Sequence, residues 1–398
     1  MAAAGNIGGQ AGDPGQAGEA AQAREAAPAL RRGVGPVLAP FPGVSRIAVL
    51  RGGGLGDLMF ALPAIEALAA AYPDAEITLL GAPLHAALLA GRPGPVHRVE
   101  VLPFASGIRP GPDDPAAAAA FHAAMRARSF DLAVQVHGGG RNSNPFLLQL
   151  GAAHTVGTRT PDAAPLERTI PYIYYQHEVL RALEVAGLAG AVPLTLEPQL
   201  EVLPVEEEKA EAYLAPGRDL VTLHPGATDP RRRWPASAFA AVAVRAAADG
   251  CRVLVVGDDD GDRRLAEQIV ALSLAESGPE TDVASVAGQL DIGTLAALLK
   301  ASTVMVGNDS GPRHLAQAVG TPTVGIYWFG NVINAGAMGR TRHRVHMSWV
   351  SACPVCGINV TQVGWTAERC AHDDSFVAAV DAAAVYADVA ELRTAPPA

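Results

Sequence analysis

Apolar positions along this chain fall into short runs separated by longer amphipathic stretches. Arg46-Ile47-Ala48-Val49-Leu50 is the first run and reads as a strand. A glycine-rich turn follows, and then Leu58, Leu62, Ile65 and Leu68 recur at helical spacing. Tyr72-Pro73-Asp74 stops that helix, and Glu76-Ile77-Thr78-Leu79-Leu80 reads as a second strand. Further strands are expected at His97–Leu102 and Leu132–Val136, with a helix over Ala116–Ser129 between them. Such β-α-β-α punctuation implies parallel strands joined by right-handed crossovers.

The second half repeats the scheme. Strands are expected at Val221–His224, Arg252–Val256, Thr303–Val306 and Thr323–Tyr327. Helices are expected at Ser237–Ala248, Asp262–Leu274, Leu295–Ala301 and Pro312–Val319, with a tail helix around Phe376–Val389. Between the halves, Pro193, Pro198, Pro204 and Pro216 surround an acidic run, Glu206-Glu207-Glu208, which reads as a linker with one short helix. The expected division is therefore a tail over 1–42, an N-terminal Rossmann-like domain over 43–195, a linker over 196–218 and a C-terminal Rossmann-like domain over 219–398. Two doubly wound α/β halves place a ligand crevice outside the carboxyl ends of their strands.

Composition sharpens this picture in four respects. Of the 398 residues 49% are hydrophobic and only 5% aromatic, so small side chains fill the interior, as helix-on-sheet layers require. A formal charge of −10 argues against a nucleic-acid partner but leaves room for a local basic pocket. No charge-free stretch approaches the roughly 18 apolar residues of a membrane span. The first 42 residues, rich in Ala, Gly, Pro and Gln, lack the apolar core of a signal peptide and read as a disordered tail. Three of the four cysteines cluster near the C-terminus, unlike a secreted disulfide framework, so a cytoplasmic protein is expected.

Candidate chemistry begins in the first turn, Arg51-Gly52-Gly53-Gly54-Leu55-Gly56-Asp57. Glycines such as Gly54 and Gly56 let a ligand approach the backbone, and the helix that follows offers free N–H groups to a phosphate. The spacing is not the dinucleotide fingerprint, and no acid follows the second strand to hold a ribose. Asp57 has two readings on the turn alone: a helix N-cap, or a base that takes a proton from a hydroxyl.

Two segments of the second half are more specific. One is Leu223-His224-Pro225-Gly226-Ala227 leading into Arg231-Arg232-Arg233-Trp234-Pro235. The other is Val306-Gly307-Asn308-Asp309-Ser310-Gly311-Pro312-Arg313-His314-Leu315-Ala316, with Gly320-Thr321-Pro322-Thr323 beyond. Taken with Gly56-Asp57, they resemble glycosyltransferase family 9, the ADP-heptose:lipopolysaccharide heptosyltransferases and their relatives. The similarity runs from about Arg46 to about Val389.

That resemblance implies a GT-B fold of two facing Rossmann-like domains. It implies a nucleotide-diphosphate-sugar donor in the C-terminal domain, an acceptor, glycan or glycolipid, in the N-terminal one, and metal-independent inversion at the anomeric carbon. Asp57 matches the family's general base. Arg232 stands where the family commonly has Lys, which keeps the charge but replaces a point charge with a planar fork. Asp309, Ser310, Gly311 and His314 match the segment around the donor diphosphate and sugar. Asp259 lies near the family's ribose-binding acid, in an acidic loop too repetitive to align firmly. Acceptors of this kind also imply peripheral association with the inner face of a membrane.

The residue chemistry agrees. Ser310-Gly311 opening a helix at Pro312 supplies N–H donors and a hydroxyl for phosphate oxygens. Without a metal, a diphosphate leaving group needs cationic stabilisation, which three consecutive arginines could give. The plainer alternatives are a solvated basic turn at Arg231–Arg233 and a helix-face histidine at His314. His137-Gly138-Gly139-Gly140-Arg141 follows a first-half strand and would line the acceptor side.

Cys353-Pro354-Val355-Cys356 is followed after thirteen residues by Cys370-Ala371-His372. Cys353, Cys356, Cys370 and His372 could hold a structural zinc. Free thiols or a redox pair are the alternatives, and no catalytic cofactor is expected. Competing functions are a GT-B-fold nucleotide-sugar 2-epimerase and a non-catalytic sugar-nucleotide-binding protein.

Overall fold

A computed structural model describes residues 34–361 and 369–394. Among them the first half contributes β1 (Arg46–Leu50), α1 (Leu55–Ala71), β2 (Glu76–Gly81), α2 (Pro83–Leu89), β3 (Arg98–Val101), α3 (Pro115–Ala127), β4 (Leu132–Gln135), α4 (Ser143–Leu148), β5 (His154–Arg159), β6 (Arg168–Pro171) and α5 (Glu178–Leu188). The connecting segment carries α6 (Pro204–Ala210). The second half contributes β7 (Leu220–His224), α7 (Ala236–Ala248), β8 (Arg252–Val255), α8 (Asp260–Ser277), β9 (Val283–Ser285), α9 (Ile292–Ala301), β10 (Val304–Asn308), α10 (Gly311–Ala318), β11 (Thr323–Trp328), α11 (Phe329–Ala335), β12 (His343–Ser348) and α12 (Ala382–Thr394).

The strands form two parallel six-stranded sheets, ordered β3-β2-β1-β4-β5-β6 and β9-β8-β7-β10-β11-β12. Both halves thus share the strand order of the dinucleotide-binding fold, with the order reversing beside β1 and beside β7. This is the GT-B architecture expected from the sequence. The motif turns follow β1 and β10, at the carboxyl ends of the two sheets.

Helix α1 is buried on nearly every side, with Leu58, Met59, Leu62, Ile65 and Leu68 inside, as expected of a helix clamped between two layers. One apolar cluster runs from α1 and α5 into Leu298, Leu299 and Leu315 of the second half, so the core crosses the domain boundary. The segment between β6 and α5 also crosses it. Asn334 Nδ2 donates to the Tyr174 carbonyl at 2.5 Å, and His177 Nε2 donates to that of Gly336 at 2.7 Å.

Two boundaries differ from expectation. The tail was expected to extend to residue 42, but residues 34–42 pack on the first domain. Val34 and Phe41 are buried, Leu38 N donates to Gly187 O at 2.9 Å, and Phe41 stacks on His154 beneath the Arg168 guanidinium. Residues 1–33 of that tail lie outside the described residues. The tail helix starts at Ala382, not near Phe376, because Asp381 accepts from Ala383 N at 3.0 Å and defines the helix start there. Phe376 and Val377 precede it as buried, non-helical anchors.

Candidate active site

Asp57 is the third residue of α1. The helix N-cap is Gly54, so the capping alternative was misplaced by three residues. Asp57 Oδ2 instead reaches back to accept from Gly54 N at 2.8 Å, satisfying one amide that the helix leaves free. This fold-back needs Gly53, whose φ of +91° favours glycine and where a Cβ would stand 2.4 Å from Asp57 Oδ2.

The other carboxylate oxygen meets Arg51. Arg51 Nη2 donates to Asp57 Oδ1 at 2.6 Å, and its Nε donates to the Asp57 carbonyl at 3.0 Å. The guanidinium is buried, and Glu178 Oε2 stands 3.4 Å from both Nη1 and Nη2. His85 supports the turn from below, accepting from Ala82 N through Nδ1 and donating to Gly54 O at 3.1 Å through Nε2. Burial lowers its pKa and keeps it neutral. Asp57 itself keeps 43% of its side chain exposed, so the carboxylate is held yet open to solvent.

In the second domain, buried Asp309 joins two cationic or donor groups. Arg232 Nη1 donates to Oδ2 at 3.0 Å, and His314 Nε2 lies 3.2 Å from Oδ1. Burial alone would raise this carboxyl. The His314 hydrogen bond and the charges of Arg232 and Arg313 overcome that and hold it down to about 2. His314 is lowered to about 4, first by burial and then by the adjacent Arg313. The imidazole is therefore neutral, and its neighbours fix the tautomer. Nε2 carries the proton given to Asp309, and Nδ1 accepts from Arg313 Nη2 at 2.5 Å.

The three arginines diverge. Arg231 makes a buried fork with Asp229, Arg232 reaches Asp309 and stays partly exposed, and Arg233 Nε donates to Ala227 O at 2.9 Å. The turn is therefore a packed element and not a loose solvated one. Ser310, the N-cap of α10, makes no cap bond. Its Oγ instead lies 2.9 Å from His224 Nδ1, whose Nε2 lies 3.4 Å from Asp262.

The two helix starts meet across the domain boundary. A Cβ on Gly311 would stand 2.8 Å from Leu55 Cβ, and one on Gly56 would stand 3.0 Å from His314 Cδ2. Both positions therefore serve close packing between α1 and α10. The Phe60 ring meets His314 edge-on at 4.5 Å.

Asp57, Gly54, Gly56, Arg232, Asp309, Ser310, Gly311 and His314 thus share one region. Asp309 and His314 are buried there, behind Arg232 and the α10 terminus. Asp259 is occupied as the N-cap of α8, accepting from Asp262 N at 2.8 Å, while Asp262 points to His224. Sequence reasoning missed Arg51, Glu178, His85 and Asp262; only Arg51, inside the glycine-rich turn, carried any local signal. His137 Nε2 is held by Gly107 O at 3.0 Å, and Arg141 is exposed beside Asp162. A cavity of about 540 Å³ lies at the other ends of α1 and α10, lined by Leu62, Glu66, Arg92, Glu201 and Gln317, and is not this site.

Cys353, Cys356, Cys370 and His372 come together, each offering a ligand atom within 4.8 Å of the others, a set that could bind a metal. Cys353 Sγ lies 3.7 Å from His372 Nδ1. Backbone N–H groups of Cys356 and Val355 aimed at Cys353 lower its thiol to about 6.

Fold and site together define a two-domain transferase architecture with a carboxylate turn on one side and an arginine–aspartate cluster on the other. The chain belongs to glycosyltransferase family 9 (heptosyltransferase), whose model matches residues 118–349. Over 135 residues it is 30% identical to lipooligosaccharide heptosyltransferase 2 of Haemophilus influenzae, a match spanning 34% of this chain and 38% of that protein. Its fold is similar to that of E. coli ADP-heptose lps heptosyltransferase II, with a TM-score of 0.68 at 19% identity, over 88% of this chain and 98% of that one. A family 9 glycosyltransferase from Veillonella parvula is also similar, with a TM-score of 0.65 at 20% identity over 76% and 86% of the two chains.

Proposed function

We propose that this protein is an inverting, metal-independent glycosyltransferase. It moves a sugar, heptose or a relative, from a nucleotide-diphosphate-sugar to a hydroxyl of a glycan or glycolipid. The observation that carries this reading is the meeting of the Asp57 turn with the start of α10, where buried Asp309 holds the partly exposed Arg232 guanidinium in place.

The chemistry follows from the residues. The acceptor oxygen attacks the anomeric carbon while the bond to the diphosphate oxygen breaks on the opposite face, so the configuration inverts. Asp57 takes the hydroxyl proton. Each of its oxygens spends one lone-pair direction, on Arg51 or on Gly54 N, and keeps another for the incoming proton. Arg51 fixes the carboxylate, and Glu178 shares the Arg51 guanidinium. Arg232 and the α10 N-terminus stabilise the charge that gathers on the departing diphosphate. The Ser310 hydroxyl is engaged by His224 and the Asn308 carbonyl, so the free N–H groups of the α10 start are the donors left for a phosphate oxygen.

The cysteine–histidine cluster is a structural zinc site in this reading and takes no part in transfer. The division at 43–195 and 219–398 is that of acceptor-side and donor-side domains. In this reading a glycolipid acceptor is met by peripheral association at the inner face of a membrane; among the described residues no helix is long and apolar enough to cross one.

The test is a donor screen by thermal shift against ADP-, GDP-, UDP- and dTDP-sugars, followed by turnover with the one that binds. A donor at a hundredfold excess over its Kd stabilises the fold by about 2.7 kcal/mol. NMR of the product should show the inverted anomer without added metal. A retained configuration, or activity abolished by chelation with the fold intact, overturns the reading.

A further inference from the structure

The segment that carries the last two cluster ligands continues directly beneath the arginine turn. Arg369, next to Cys370, stands 3.8 Å from Asp229 and also pairs with Asp373. Ser375 Oγ donates to the Arg233 carbonyl at 2.6 Å, and Phe376 N donates to the Arg231 carbonyl at 2.7 Å. The Phe376 ring lies 5.2 Å from the Arg231 guanidinium, and it shares a small buried core with Cys353 and Val360. Both residues flanking Arg232 are therefore hung on residues 375–376, only three and four positions beyond His372. The opposite end of the cluster touches the first domain, where Tyr175 Oη donates to the Thr361 carbonyl.

We infer that a tetrahedral cation on Cys353, Cys356, Cys370 and His372 is the brace that fixes the Arg231–Arg233 turn, so that cation loading sets affinity for the donor diphosphate. The inference rests on the cluster being a metal site and adds to it a role at the donor. Three thiolates and one imidazole suit zinc, whose bond lengths put tetrahedral sulfurs about 3.8 Å apart. The Cys353–His372 pair already stands at about that separation, and closing the rest of the set asks for a contraction of about 1 Å. Without the cation, residues 370–376 keep, among the described residues, a small apolar core, the Arg369 ion pairs and their own bonds to the arginine turn, while Cys356 is exposed and Cys370 only partly buried, so the segment is loosely held. The carbonyls of Arg231 and Arg233 then lose their fixed partners, and Arg232 loses its aim.

The experiment uses the full chain, zinc-loaded or stripped with a strong chelator, and inorganic pyrophosphate as a probe independent of the nucleoside. Metal analysis should give one zinc per loaded chain. Calorimetry should show pyrophosphate binding weakened about tenfold in the stripped protein, the scale of one charge-assisted contact, and restored when zinc is added back. Should stripping unfold the protein, Ser375→Ala carries the test. It leaves all four ligands in place, should keep its zinc, and should still bind pyrophosphate several-fold more weakly. Zinc bound, with equal pyrophosphate affinity in the stripped chain or in Ser375→Ala, overturns the bracing role and leaves the metal site standing. A protein that neither carries nor takes up zinc or iron overturns the metal site and the brace together. A loaded protein blind to pyrophosphate overturns the role given to Arg232, and with it the brace.

Discussion

Mild acid should destabilise this protein through His314 before its buried carboxylate is touched. The folded imidazole is lowered from 6.5 to about 4 by burial and by Arg313, whereas the unfolded one titrates normally. Below about pH 6.5 the unfolded chain therefore binds a proton that the folded chain refuses. Stability falls with pH through the window between 6.5 and 4, and the loss is complete below 4. Integrated over that window, His314 costs about 2 kcal/mol at pH 5 relative to pH 8. His343, lowered to about 4 by burial and the charges of Arg313, Arg342 and Arg344, adds a cost of the same sign and size. Asp309, held down to about 2, contributes stability above its unfolded value of 3.8 and loses it only as pH falls from there toward 2, outside the window. Urea denaturation of wild type and His314→Gln at several pH values between 8 and 5 measures the difference. The variant should be less stable at pH 8, yet lose about 2 kcal/mol less between pH 8 and pH 5. Equal pH slopes would mean that folded His314 takes up a proton as readily as the unfolded chain, and a wild type that gains on the variant toward pH 5 would mean an imidazolium paired with Asp309; either result refutes the neutral imidazole.

Arg232→Ala should weaken nucleotide-sugar binding by about 1.5–3 kcal/mol, the scale of a lost charge-assisted phosphate contact; donor titration by calorimetry that finds no change would shift that contact to another group. Removing residues 1–33 is expected to leave the melting temperature and donor affinity unchanged. Removing residues 1–42 also strips buried Val34 and Phe41 from the first domain, at about 1.5–3 kcal/mol for each side chain, and a melting curve unaltered by that longer deletion would show that the segment contributes nothing to stability.

Much of the fold was legible because most central strands and long helices announce themselves locally. β1, β2, β4, β7, β8, β10 and β11 lie within a few residues of their expected places, since each is a buried apolar run flanked by turn residues. The edge strands β6 and β12 were not read. Arg168–Pro171 ends in proline, and His343–Ser348 carries two histidines and an arginine, a pattern tolerated at an edge that must not pair further. The site divides the same way. Asp57, Arg232 and Asp309 sit in contiguous motifs, but Glu178 reaches Arg51 from 127 residues away, and no local pattern announces that pairing. The glycine at the N-cap hid the position of Asp57, because a cap without a side chain leaves no signature. Gly56 and Gly311 looked like ligand-facing glycines, and their closeness to His314 and Leu55 appears only when both domains are folded together.

The central claim, that Asp57 is the base, is tested most directly by Asp57→Asn. Asparagine keeps the shape and can still accept from Gly54 N through its side-chain oxygen, but it cannot take the acceptor proton. Single-turnover measurement with saturating donor should show transfer slowed by roughly 100- to 10,000-fold, with donor affinity nearly unchanged. Transfer at the wild-type rate in Asp57→Asn would contradict the account and leave Asp57 as a helix-capping residue alone.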